Sequence, residues 1–334
     1  MKRKGNLFDL IVNEDNISEA FKKASKGKKN LKEVIDYKEN LGYYIKILMK
    51  QLRNHELEIG YYKFFEIYDP KRRSICAASF PERVLHHAIM NICEPVLESR
   101  AIFDSYACRK NKGNHKALLR AKKFTMNYEW FLKLDIKKYF DNIDHKIAIK
   151  LLSRCIKDRD VILTFQNILD TYQKDNGKGV PIGNLISQHL ANYYLCPFDH
   201  FVKEKLRVKA YVRYMDDFLV FRNNKSSLKN DLFEIRNFLS DHLKLELKHN
   251  IQLNKCSRGI PFLGYRVFPH KNRLNPNSRK RFVIKFRKYE QKWINKEWTM
   301  RMLVRHVEPL VAFTKIADSA ELRQDIINKF GVSF

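Results

Sequence analysis

The 334-residue sequence is short of acid: 37 Asp and Glu face 65 Lys and Arg, a net charge of +28. An imbalance of that size implies a polyanionic partner, nucleic acid or less often an anionic membrane surface. Long apolar runs are missing too, since none reaches the roughly 18 to 20 residues of a membrane helix. The N-terminal MKRKGNLFDLIVNEDN begins like a signal peptide, but Asp9 splits its short apolar run and acidic residues follow, so no secretory core forms. With 9 Pro and 11 Gly, few for this length, long structureless loops are not expected. The six cysteines (Cys76, Cys93, Cys108, Cys155, Cys196, Cys256) show no CxxC or Cys/His spacing suited to zinc, and the 11 histidines form no HExxH pair. They read as buried or incidental thiols of a reducing cytoplasm. The chemistry expected is polar and oxygen-based.

What is present suffices for a large core. The chain is 44% hydrophobic and 13% aromatic, which excludes intrinsic disorder and allows one large or two modest domains. No internal repeat is found. Residues 1–40 read as a basic N-terminal extension, helical or irregular. Apolar spacing predicts helices over 41–55, 81–98 with Pro81 at a favourable first position, 113–126, near 145–156, from Asn184 onward, and over 226–242. Strands are expected on either side of a basic turn in 61–75, at 130–140, in a hairpin over 210–221, and near 245–253 and 261–268. Residues 271–334 are basic and then helical. The result is an α+β chain: a mixed core over 41–270, then a helical lobe.

Two acidic positions stand out. Asp135 ends an apolar strand that also carries Phe131 and Lys133 on the same face, and Asp216-Asp217 occupies the tip of an apolar hairpin. Turns favour Asp for backbone reasons, so the pair alone decides little. Carboxylates closing buried strands, however, need a positive partner. Lysine would serve, but a divalent ion is the better match for three converging carboxylates. Mg²⁺ takes hard oxygen ligands and shares them with phosphates, and two such ions can stabilise both oxygens of an in-line phosphoryl transfer.

KLDIKKYFDNID, VPIGNLISQHLANYYL, RYMDDFLVF and IPFLGYRVF, in that order, resemble the palm motifs of reverse transcriptases. DPKRRSICAASFPERVLHHAIMNICEPVLE and DSYACRKNKGNHKAL resemble the fingers motifs of the bacterial and group II intron branch. The resemblance spans roughly residues 55–270. It implies a right-hand polymerase fold, with fingers and palm over 41–270 and a helical thumb over 271–334. It implies two Mg²⁺ ions, or Mn²⁺, on Asp135, Asp216 and the Ile136 carbonyl, with Asp217 as a supporting carboxylate. Phe140 falls at the steric gate that favours deoxynucleotides, and Lys71, Arg73, Tyr139, Ile182 and Gly183 fall at nucleotide-binding positions. Lys248 is a candidate for protonating pyrophosphate, though a surface lysine is the simpler reading.

Two departures narrow the resemblance. Most reverse transcriptases carry Pro-Gln-Gly where this chain has Pro181-Ile182-Gly183. Ile182 has no side-chain hydrogen bond to offer, and hydrogen-bonding sites give the sharpest selection. Ser187-Gln188 stands where intron and retron enzymes generally show Ser-Pro. Together they resemble the reverse transcriptases of diversity-generating retroelements, which copy a template RNA with errors at adenines. That resemblance implies template RNA, an RNA/cDNA duplex and deoxynucleoside triphosphates as partners, and a small basic oligomeric accessory protein. The short segment after the palm fits this type better than an intron maturase with an endonuclease. Basic runs at 109–123 (Arg109, Lys110, Lys112, Lys116) and 278–293 (Arg279, Lys280, Arg281, Lys285) are candidates for phosphate contacts, against the reading of a solvated helix face. Other bacterial reverse transcriptases remain an alternative, as does a silent RNA-binding protein on the same fold, for which three metal-binding carboxylates would have no use.

Overall fold

The computed structural model describes residues 2–69 and 72–331, so Lys71 lies outside the described residues. Helices and antiparallel sheets are mixed, and the chain divides into two compact units, each discontinuous in sequence: Met1–Arg109, Ile136–Lys205 and Glu234–Lys248 in one, Lys110–Asp135, Leu206–Phe233 and His249–Phe334 in the other.

In the first unit the basic N-terminal segment, expected to be helical or irregular, forms helices. The helix Glu14–Ser25 is capped by Asn13, whose side chain accepts from the Asp15 and Asn16 amides. Ile17, Ala20, Phe21 and Ala24 recur at helical spacing and are all buried. They pack on the helix Phe80–Glu98, whose Val84, Leu85, Ala88, Ile89 and Cys93 are buried in turn. Lys22 and Lys23 of the helix Glu14–Ser25, and Lys26, Lys28 and Lys29 beyond it, are exposed. Helix Phe80–Glu98 also buries a titratable pair. His86 is 2% exposed, and its Nε2 lies 3.5 Å from Glu82 Oε1. Burial drives the His86 imidazole down to about 3, with His87 and Arg83 pushing the same way, and burial raises the Glu82 carboxyl.

Strands β1 (Tyr62–Ile67) and β2 (Arg73–Ala78) form the expected hairpin, in register from Tyr62 opposite Ala78 to Ile67 opposite Arg73. β2 is moored to the chain just before the helix Leu185–Tyr194. The Cys76 amide donates to the Ile182 carbonyl at 2.8 Å, and the Ala78 amide donates to Asn184 Oδ1 at 3.2 Å.

The second unit is built on a four-stranded antiparallel sheet of order β4-β5-β3-β6. Its strands are β3 (Trp130–Asp135), β4 (Ala210–Tyr214), β5 (Asp217–Arg222) and β6 (Gln252–Lys255). Phe218, Leu219, Val220 and Phe221 of β5 are all fully buried, as an interior strand covered on both faces requires. The helix Asn114–Asn127 packs on β4 and β5. A second sheet of β7 (Ile260–Phe262), β8 (Tyr265–Val267) and β9 (Asn272–Leu274) leads into the helices Pro276–Ile294, Met300–Thr314 and Ala320–Phe330. Phe282, Phe286 and Ile326 form the core of that helical lobe. Each such side chain contributes roughly 1.5–3 kcal/mol on burial. The strand expected near 245–253 is confined to Gln252–Lys255, and β9 was not foreseen.

Candidate active site

The acidic residues meet on the sheet of the second unit. Asp135 ends β3 directly across from Asp217, the first residue of β5. Tyr214 and Asp217 pair across the β4–β5 hairpin, which leaves Met215 and Asp216 as a two-residue turn. Such turns need a positive φ, usually supplied by Gly, Asn or Asp; here Met215 adopts φ 56°. Two lysine and arginine side chains hold this strained arrangement. Arg213 is 0% exposed and donates from Nη1 to the Met215 carbonyl at 3.1 Å. Lys133 Nζ bonds Asp217 Oδ1.

Like charges opposite one another in a sheet repel. Burial raises the Asp217 carboxyl to about 6; Lys133 pulls it down, while Asp135 and Asp216 push it up. All three carboxylates therefore lie within electrostatic reach of each other. Among the described residues, however, no group of three or more His, Cys, Asp or Glu side chains is gathered for a metal ion. Lys133 engages Asp217, the carboxylate expected to support the other two. The carboxylates of Asp135 and Asp216 are hard oxygen donors, the type a divalent cation such as Mg²⁺ takes. Lys133 and Arg213 were not singled out from the sequence. Lys133 had a legible signal, two residues before Asp135 on the same strand face. Arg213 had none, since a buried arginine is the exception.

The expected nucleotide-binding residues belong to the first unit. Phe140 lies in a 3₁₀ turn, Tyr139–Asn142, that follows Lys138 at φ 43°. Its ring is half-buried, 5.9 Å from that of Tyr139 and nearly perpendicular to it, and its carbonyl accepts from the Val180 amide. Tyr139 departs from expectation. Its side chain is 2% exposed and its hydroxyl bonds the Ala191 carbonyl, so the ring is core and not a nucleotide contact. Ile136 is fully buried and bridges to Leu247. Ile182 is half-buried. Gly183 has φ 119°, and a Cβ there would sit 2.8 Å from Ile75 Cγ2 and 3.2 Å from the Cys76 carbonyl. Glycine is required at 183 by both conformation and space. Ser187 is buried, and Gln188 Oε1 accepts from the Cys108 thiol at 3.6 Å. Arg73 is exposed at the start of β2.

The basic candidates divide. Arg109 is an internal clamp and not a phosphate contact. Its side chain is 8% exposed, its Nε donates to both Glu98 oxygens, and its Nη1 donates to the Ile102 and Ser105 carbonyls at 2.6 and 2.7 Å. Most of the five guanidinium donors are thus spent inside the protein. Lys110 is exposed, Lys112 is half-buried, and exposed Lys116 donates to the Asn111 carbonyl. Arg279 and Lys280 are exposed on the first helix of the lobe, Lys285 is half-buried, and Arg281 lies 5.8 Å over the Phe313 ring.

Paired carboxylates on a strand end and a hairpin turn, in a strongly basic α+β chain, define a class of phosphoryl-transfer enzyme. A family model described as "Reverse transcriptase (RNA-dependent DNA polymerase)" matches residues 69–267, and the chain belongs to that family. It carries the domain of an RNA-directed DNA polymerase, a nucleotidyltransferase. It is 24% identical to Protein YkfC of Escherichia coli over 274 residues, 67% of this chain and 72% of that protein. It is 31% identical to the group II intron-encoded protein LtrA of Lactococcus lactis over 138 residues, 40% of this chain but only 23% of that one. A solved structure of apo telomerase from Candida tropicalis superposes with a TM-score of 0.52 at 12% identity, covering 80% of this chain and 59% of that one. That likeness establishes the right-hand polymerase fold. No helix among the described residues is long and apolar enough to cross a membrane.

Proposed function

We propose that this chain copies a template RNA into cDNA by metal-assisted nucleotidyl transfer, and that it does so with errors at template adenines, as in diversity-generating retroelements. The observation that carries the chemistry is the register placing Asp135 opposite Asp217 with Asp216 in the intervening turn. Asp135, Asp216 and the Ile136 carbonyl would hold Mg²⁺, and Asp217, neutralised by Lys133, would support them. Bound there, divalent ions supply charge neutralisation at the attacking and departing oxygens of an in-line displacement. Phe140 would exclude a ribose 2′-hydroxyl, Arg73 would clamp the triphosphate, and exposed Lys110, Lys116, Arg279 and Lys280 would meet backbone phosphates.

The mutagenic reading rests on Ile182 and Gln188. Ile182 offers no side-chain hydrogen bond where a polar residue would sharpen selection. Its carbonyl bond to Cys76 and the tight seat of Gly183 leave its backbone little freedom to compensate. A small basic oligomeric accessory protein belongs to the same reading. A second reading, an intron-type enzyme, is favoured by the 31% identity to LtrA.

Primer extension on an RNA template tests the proposal. Asp216→Asn should abolish Mg²⁺-dependent deoxynucleotide incorporation, and full activity would sink the metal assignment. Ile182→Gln should lower misincorporation opposite adenine; an unchanged error spectrum would remove Ile182 from the argument. Flanking DNA holding two near-identical repeats that differ mainly at adenines would favour the mutagenic type over the intron type.

A further inference from the structure

A cleft of about 840 Å³ in the first unit shares no residue with the nucleotide-binding candidates. Three helical segments wall it: His145–Leu152 with the turn after it, Cys196–His200 continuing into a π-helical turn at Phe201–Lys205, and the C-terminal end of Lys225–Leu243. The floor is apolar. Ile147, Pro197, Phe201 and Phe238 are half-buried, above fully packed Leu151 and Leu243. π-Helical turns are rare and concentrate at functional positions, and this one sets Phe201 against Phe238 with ring centroids 4.3 Å apart and 20° between planes. The rim is basic. Lys150 and Arg154 stand about one turn apart on one wall, Lys205 and Lys244 belong to the other two segments, and all four are exposed. Of the two rim acids, Glu204 is bonded to His200 Nδ1 at 2.6 Å, and Asp241 is the other.

We propose that this cleft docks an amphipathic helix of a partner protein, with an apolar stripe on the floor and Asp or Glu along its flanks. An apolar trough between helices is the setting in which a helix anchors residues at i, i+3, i+4 and i+7. Four fixed cations against two acids set the sign of the flanks. RNA suits the cleft less well. Phe201 stacks on Phe238 and His242 leans on the same ring at 4.7 Å, so Phe238 offers no open face to a base, and Glu204 and Asp241 oppose phosphates. A second copy of this chain is disfavoured by its own charge of +28. The proposal does not depend on the polymerase reading.

The test uses the full chain and three fluorescent 18-residue peptides: a leucine-striped helix with Glu flanks, the same stripe with Lys flanks, and a scrambled Glu peptide of identical charge. Anisotropy should show the first binding at least tenfold more tightly than either other. The double variant K150E/K244E should weaken the first at least tenfold and strengthen the Lys-flanked peptide, while a control reversing exposed Lys26 and Lys29 leaves both unchanged. Melting temperature verifies that each variant folds. Equal binding of striped and scrambled peptides, an equal effect of the control reversal, or no binding would overturn the proposal. Displacement of the striped peptide by a single-stranded RNA, or self-association lost in K150E/K244E, would do so in favour of RNA or a second copy.

Discussion

Lys133 donates to Asp217 from two residues before Asp135, the carboxylate that Asp217 faces across the sheet. One cation thus makes two opposed acids tolerable at a strand end.

Removing that cation should expose the conflict. Lys133→Met is expected to cost ~1–3 kcal/mol of stability, less than a fully buried pair because both side chains keep some solvent contact. The loss should be smaller in an Asp217→Asn background, where no charge is stranded. Urea unfolding of the four-member cycle measures the coupling, and strictly additive effects would contradict it.

Arg213 should matter through the turn it holds. Its bond to the Met215 carbonyl is of the charged type, worth about 1.5–3 kcal/mol. If that energy positions Asp216, Arg213→Met should slow incorporation roughly tenfold or more. Single-turnover primer extension reads the chemical step, and a wild-type rate would assign Arg213 to packing alone.

Gly183→Ala should loosen β2. A Cβ at φ 119° and 2.8 Å from Ile75 imposes about 1–3 kcal/mol of local strain. The Cys76 amide, bonded to the Ile182 carbonyl, should then exchange its hydrogen at least tenfold faster, and KM for deoxynucleotides should rise. Unchanged protection at Cys76 would show that the glycine is dispensable.

His86 should make the fold acid-sensitive. Its folded value, about 3, lies below the ordinary 6.5, so between those values only the unfolded chain binds the proton. Stability is therefore lost as pH falls from about 6.5, by ~1.4 kcal/mol per unit from this residue. Glu82, raised by burial, acts in the opposite sense: its contribution is present at low pH and lost as pH rises. Comparing His86→Phe with the parent removes the shared Glu82 background. The drop in unfolding free energy between pH 7 and 5 should shrink by about 2 kcal/mol, and an identical drop in both proteins would clear His86.

Much of this was legible without coordinates. The hairpin over 210–221, with its acids at the turn, and the helices at 41–55, 81–98 and 113–126 all follow from apolar periodicity and lie within a residue or two of expectation. Misreadings arose where composition stood in for pattern. Arg109, counted among the basic run, is an internal clamp. Tyr139 shows the same limit, since adjacency to Phe140 says nothing about which way a ring points once the chain enters a 3₁₀ turn.

The sequence by itself determined the family, the order of the motifs and the positions of the acidic residues proposed to carry the chemistry, because these are properties of residue type and spacing. Only the tertiary structure decided the partners. That Lys133 belongs to Asp217, and β2 to the carbonyl of Ile182, depends on segments far apart in the chain; that Arg213 holds the turn at Met215 and Arg109 grips Glu98 depends on how the local chain folds back. A side chain's charge is written in its residue. Whether that charge meets a ligand, another side chain or water depends on which atoms folding brings within hydrogen-bonding distance.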